Sequence, residues 1–125
     1  MNKLQRIVLA DLHKQLETLH AQVAAATDKV YPLKSVLAGK LEDIRVQVEE
    51  IREEEQEKFD NMPEGLQNGP TGQGITDAIS ALEETEEELR NVVQMLEDDT
   101  AESTGNFWKQ VGEQLQDALS QLREI

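Results

Sequence analysis

The chain has 125 residues and a net charge of −14, since it holds 26 acidic and only 12 basic side chains, and aromatic residues make up just 3%. The length fits a single domain, and the lack of cysteine excludes disulfide scaffolds, thiolate nucleophiles and cysteine-ligated zinc. No apolar run is long enough for a signal peptide or a membrane-spanning helix, and the charge disfavours direct binding to nucleic acid or anionic lipid. We therefore expect a cytoplasmic protein.

Apolar side chains in the first half of the chain recur at alternating intervals of three and four residues, which is the spacing of one face of an α-helix. This pattern predicts helices over residues 2–31 and 33–59, with Pro32 ending the first of them. Glu55 occupies a position of the second stripe where an apolar residue is due. The first stripe comprises Leu12, Leu16, Leu19, Val23, Ala26 and Val30, and the second comprises Leu37, Leu41, Ile44, Val48, Ile51, Phe59 and Met62.

Residues 60–74 contain two prolines and four glycines, a composition that predicts the main turn of the chain rather than a regular helix. Two further helices are predicted over residues 75–98 and 106–124, separated by a break near residue 102 that is rich in capping residues. Glu86 occupies a core-facing position, as Glu55 does in the second helix. The third stripe comprises Ile75, Ile79, Leu82, Leu89, Val93 and Leu96, and the fourth comprises Phe107, Val111, Leu115, Ala118, Leu122 and Ile125.

The four stripes mirror one another if the chain folds back near residue 67, so that, for example, Val23 faces Val111. We therefore predict an all-α fold, an antiparallel helical hairpin broken near residues 32 and 102. The hairpin either stays extended like a coiled coil or folds at both breaks into a four-helix bundle. Some apolar residues lie outside the stripes and need cover from this folding or from a second copy, so we predict a homo-oligomer. They are Ile7, Leu9, Leu33, Val36, Val92 and Leu119.

Acidic residues are concentrated around the main turn, and residues 64–104 alone hold eleven acidic residues and one basic residue. In the antiparallel register, the acidic run of the second helix faces that of the third, and we expect this crowding to raise carboxyl pKa values. A surface of spaced carboxylates could also imitate a phosphate backbone and occupy the basic nucleic-acid groove of a partner protein. The candidate partner-binding residues of this acidic face are Glu53, Glu54, Glu57, Glu83, Glu84, Glu87 and Glu88.

Phe107 and Trp108 form the second candidate feature, and two interpretations are open. The two rings fill the space beside the small residues Ala24, Ala25 and Ala26, or Trp108 anchors a partner chain as an apolar alternative to the acidic face.

No metal, cofactor or catalytic group is predicted. Glu17 and His20 have the spacing of a di-iron ligand pair, but the pair occurs once, and His13 lies a heptad away from His20. The sequence also lacks a Gly-x-Ser-x-Gly nucleophile motif and the lysine of a phosphate loop. We therefore predict that the protein is not an enzyme, and keep a bundle that sequesters a metal or small anion as a lesser alternative.

Residues 54–67 read Glu-Glu-Gln-Glu-Lys-Phe-Asp-Asn-Met-Pro-Glu-Gly-Leu-Gln. This stretch resembles a motif of small, acidic, helical phage and prophage proteins of unassigned function, and the resemblance extends from Glu53 to Glu88. It implies a phage-type origin and a helix–turn–helix hairpin, and it implies no active site. In physical terms the motif is a helix exit, in which Phe59 and Met62 pack on the next helix, Pro63 stops the helix, and Asp60 or Asn61 bonds the freed backbone.

These features together favour a non-enzymatic protein that binds and inhibits or adapts a host protein in the cytoplasm of a bacterial cell. A nucleic-acid-handling defence complex is one such target, because it presents basic grooves. The alternative is a structural coiled-coil module for assembly or oligomerisation.

Overall fold

The structure, a computed structural model, describes residues 2–24, 34–98 and 105–123, and these are all-α as predicted, with no strand among them. The predicted breaks near residues 32 and 102 lie outside this part of the chain, as do Ala26, Val30, Leu33 and Ile125. The helices are α1 (Lys3–Ala24), α2 (Lys34–Asp60), the one-turn α3 (Glu64–Gln67), α4 (Pro70–Glu97) and α5 (Gly105–Arg123). The described end of α2, at Asp60, lies one residue beyond the predicted bound.

The four long helices share one hydrophobic core. α2 packs along α4, α4 along α5 and α5 along α1, and a sparser contact between α1 and α2 closes the ring. Neighbouring helices along the chain, α4 and α5 as well as α1 and α2, thus also contact each other. Every described member of the four apolar stripes is buried except Phe59 and Met62, which are half-buried.

The helices meet in the predicted antiparallel register. Arg52 of α2 forms an ion pair with Glu86 of α4. Toward the other end of the same two helices, the pKa of Glu42 is lowered mainly by its hydrogen bond with Arg45 and also by the positive charge of Arg90 of α4. Between α1 and α5, a Cβ atom placed on Gly112 would lie 3.6 Å from the side chain of Val23. This contact agrees with the expectation that Val23 lies opposite residue 111.

The apolar residues outside the stripes are covered to different extents. Leu9, Val92 and Leu119 are buried within the chain, whereas Ile7 and Val36 are 56% and 49% exposed. The folding of a single chain therefore covers part of the apolar surface for which a second copy was predicted, and self-association stays a prediction.

The main turn is shorter than predicted, because α4 begins at Pro70 instead of residue 75 and α3 forms within the turn. Pro70 occupies the first helical position, where a backbone N–H is not needed and the fixed φ of proline suits the helix. Gly72 is needed for close packing, since a Cβ atom there would lie 2.1 Å from the carbonyl oxygen of Gln67. Pro70 and Gly72, which were predicted to belong to a turn, therefore lie in the first turn of α4, and Gly72 allows α3 to pack closely against it.

Gln67 caps the end of α2. Its Nε2 donates a hydrogen bond to the carbonyl oxygen of Phe59 at 2.8 Å, the task that the sequence assigned to Asp60 or Asn61. The side chain of Asp60 instead accepts a hydrogen bond from Gln56 at 3.0 Å. Gln67, the last residue of the 54–67 motif, thus adds a second hydrogen bond to a carbonyl oxygen that also accepts one from the backbone N–H of Met62 at 3.1 Å.

Candidate protein-binding face

The outer side of α4 carries three exposed carboxylates, Glu83, Glu84 and Glu87, which we call the acidic row. Successive residues of a helix are 100° apart, which places these three on the side opposite the buried Leu82 and Leu89. They were predicted to face solvent, and this is confirmed. Arg90 is the only basic residue of α4, so the outer side of this helix is strongly negative.

Arg52 lies where the acidic runs of α2 and α4 meet. Its Nε donates to Glu86 Oε2 in an ion pair. Burial opposes the charged form, but the bond to Glu86 and the charges of Glu83 and Glu53 raise the pKa of Arg52. The two runs approach each other as predicted, and a cation that the prediction overlooked lies between them and offsets part of their repulsion.

The two acidic residues at core positions are both buried and both paired. Glu55 is fully buried and accepts a hydrogen bond from Lys58 Nζ at 3.0 Å, and Glu86 is 5% exposed and paired with Arg52. A buried carboxylate is costly unless it is paired. These positions are therefore part of the structural core and are not available to a partner.

Glu54 lies apart from the acidic row, at the contact between α2 and α1. Its Oε2 accepts a hydrogen bond from Gln5 Nε2 at 2.7 Å. Gln5 also accepts from the backbone N–H of Asn2 at 3.1 Å, while its own N–H donates to Asn2 Oδ1 at 2.8 Å. This is a capping box, and the Asn2-x-x-Gln5 spacing is a sequence signal that the prediction missed. Glu57 is exposed on α2.

Glu88 lies at the opposite edge of the acidic row, toward α5. It is half-buried, and its Oε2 is buried without a hydrogen-bond partner among the described residues. Burial raises the pKa of Glu88 to about 7, helped by the negative charges of Asp117, Glu84 and Glu87. Carboxyl crowding thus contributes to the raised pKa of Glu88 only after burial, and it comes from α5 and from α4 itself instead of from the acidic run of α2.

Phe107 and Trp108 belong to the core. They are 9% and 3% exposed, their ring centroids lie 5.2 Å apart in an edge-to-face arrangement, and Lys34 Nζ lies 4.5 Å from the centre of the Phe107 ring. This burial contradicts the interpretation of Trp108 as a surface anchor and favours the packing interpretation. Of the three alanines expected beside the rings, Ala24 is exposed, and Ala25 and Ala26 lie outside the described residues.

The histidines do not form a metal site in the part of the chain that the structure describes. Glu17 Oε1 lies 2.9 Å from His13 Nδ1, so the Glu17 carboxylate contacts His13. No group of three or more His, Cys, Asp or Glu residues within the described ranges is placed to hold a metal ion.

Comparison with protein-family models, with curated proteins and with solved structures finds no match for this chain. Among the described helices, none combines the length and the apolar character needed to cross a membrane. On the surface of the molecule, the predicted acidic face is separated into parts. Glu53 lies near Arg52, Glu54 contacts α1 and Glu88 lies toward α5, whereas Glu83, Glu84 and Glu87 form the exposed acidic row.

Proposed function

We propose that this chain is a non-enzymatic, phage-type protein-binding module whose acidic row docks on a basic surface of a host protein. The observation that carries the proposal is the exposure of Glu83, Glu84 and Glu87 together on one side of a 28-residue helix. The guanidinium of Arg52 is engaged by Glu86, and its charge reaches only the Glu83 edge of the row.

The spacing of the acidic row suits a basic groove that otherwise holds nucleic acid. Glu83 and Glu87 are one helical turn apart, about 6 Å between Cβ atoms, and the rigid helix presents them as a repeated negative charge. Exposed charges of one sign accelerate the encounter with an oppositely charged surface and exclude wrong partners. The row therefore provides selectivity for a positively charged partner without a deep pocket.

Affinity capture from a nuclease-treated bacterial lysate tests this proposal. The row-reversed variant (E83K/E84K/E87K) should lose the partner that the wild type captures, and raising the salt concentration should release it from the wild type. A matched control, D43K/E50K/E113K, makes the same change in net charge at exposed sites outside the row and should retain the partner. Equal loss in both variants would show a non-specific charge effect, and retention in both would place the binding surface elsewhere.

A second candidate function is a structural module that self-associates through α1. Leu4 and Ile7 are 70% and 56% exposed and lie one turn apart on this helix, and adjacent exposed apolar residues are typical of association surfaces. Light scattering over a range of concentrations tests it. A wild-type dimer that becomes a monomer in L4K/I7K would support self-association, and a monomer at every concentration would contradict it.

A further inference from the structure

An acidic residue of α4 and an acidic residue of α5 influence each other electrostatically where these two helices pack together. Glu88 is half-buried there, and its buried Oε2 has no hydrogen-bond partner among the described residues. Asp117, exposed on α5, has the strongest effect of any neighbouring charge on the pKa of Glu88, after the effect of burial itself. A carboxylate held in this way is unfavourable on two counts, since burial removes solvent from the charge and a like charge lies opposite.

Among the described residues, no cation offsets the charge of Glu88 from the other helices that pack on α4. The charges that raise its pKa are all negative, namely Asp117 from α5 and Glu84 and Glu87 from α4 itself. Arg52, which pairs with Glu86, and Arg90 both lie on the other side of α4. Residues 86 and 90 are each about 200° around the helix from residue 88. α3 contacts the first turn of α4, at Gly72, about four turns away.

We propose that Glu88 and Asp117 form a proton-dependent latch that holds α5 against α4. When Glu88 carries a proton it is neutral, and the two helices pack without repulsion. When Glu88 releases that proton to solvent, two facing carboxylates remain at the helix contact, and α5 is held less firmly. This inference does not depend on the identity, or on the existence, of a binding partner.

The direction of the pH effect follows from linkage. The pKa of Glu88 in the folded protein is about 7, whereas a glutamate in an unfolded chain titrates near pH 4.3. The folded state therefore binds this proton more tightly, and the resulting stability is present at low pH and is lost as the pH rises through 7. The protonated fraction of Glu88 changes most steeply around neutrality, so small pH changes there have the largest effect on the latch.

Trp108 provides a direct readout, because it is the single tryptophan of the chain, lies on α5 and is 3% exposed. If α5 loosens when Glu88 loses its proton, Trp108 should gain solvent exposure and its fluorescence emission should shift to longer wavelength between pH 6 and pH 8. The midpoint of this shift should coincide with the titration of the Glu88 carboxyl carbon, followed by NMR.

Three variants test the latch. E88Q should remove the fluorescence shift and should melt at a higher temperature than the wild type at pH 8. D117N should move the Glu88 titration and the fluorescence midpoint to lower pH. E113Q changes another exposed acid of α5 and should behave as the wild type. The proposal is overturned if Glu88 titrates near its ordinary value, or if E88Q and the wild type show the same pH dependence of melting and fluorescence.

Discussion

Arg52 of α2 and Glu86 of α4 form an ion pair at the point where the two acidic runs of the chain approach each other. The Glu86 side chain is 7% exposed and that of Arg52 is 24% exposed, so the pair lies at the edge of the core. It supplies a cation where like charges would otherwise meet, and it joins the two helices in one register. The guanidinium of Arg52 therefore stabilises the acidic end of the molecule.

Removing that guanidinium should destabilise the fold. R52M leaves the Glu86 carboxylate buried without its partner, and we expect a loss of about 1–3 kcal/mol in the free energy of unfolding, measured by urea denaturation. The double variant R52M/E86L replaces the pair with apolar side chains and should regain most of this loss. Equal destabilisation in the single and double variants would contradict the role assigned to the pair.

Two glycines of α4 should respond in opposite directions to alanine. G72A places a Cβ atom 2.1 Å from the carbonyl oxygen of Gln67, so the backbone must shift, and we expect a loss of about 1–3 kcal/mol. G74A, whose Cβ would have no neighbour within 4 Å, should gain about 0.5–1 kcal/mol because alanine is the better helix former. Thermal unfolding of both variants checks this, and a G72A variant as stable as the wild type would mean that α3 does not pack on Gly72.

The cap at the end of α2 is testable through the motif residue Gln67. Q67A leaves the carbonyl of Phe59 without the hydrogen bond at 2.8 Å, and the expected cost is about 1 kcal/mol. Q73A removes an exposed side-chain hydrogen bond to Asp77 and should change stability by less than about 0.5 kcal/mol. Chemical denaturation that gives Q67A the stability of the wild type would show that the motif has no capping role.

Trp108 should matter for folding and not directly for binding. W108A removes a large side chain that is 3% exposed, and such truncations cost about 3–5 kcal/mol. Circular dichroism and melting should therefore show a weakened fold, while W108F should keep much of the stability. A folded W108A variant of normal stability that fails to bind would restore the interpretation of Trp108 as a partner anchor.

The sequence predicted the core of this protein better than its edges. The stripes that contain Leu41, Leu89 and Leu115 were identified because a helix repeats its inward side every three to four residues, a local property. The core positions of Glu55 and Glu86 followed from the same spacing. The start of α4 at Pro70 was missed because proline and glycine both stop and start helices, and only the position of α3 against Gly72 distinguishes the two roles.

The different environments of the acidic-face residues could not be predicted from the sequence, for a different reason. Glu54 and Glu88 differ from the acidic row in the neighbouring helix that each one faces, and this depends on the order of the helices around the core. That order is a tertiary property that helical spacing does not contain. The contact of Gln5 with Glu54 and the electrostatic effect of Asp117 on Glu88 become visible only when α1 and α5 are in place.

Competition with DNA tests the central claim, that the acidic row occupies a basic surface that otherwise holds nucleic acid. Proteins of a bacterial lysate are first bound to immobilised double-stranded DNA and then washed, at constant ionic strength, with the wild type, the row-reversed variant or D43K/E50K/E113K. The account predicts that the wild type and D43K/E50K/E113K release the same discrete set of proteins and that the row-reversed variant releases none of them. Release of the same set by the row-reversed variant, or no release by the wild type, would contradict it.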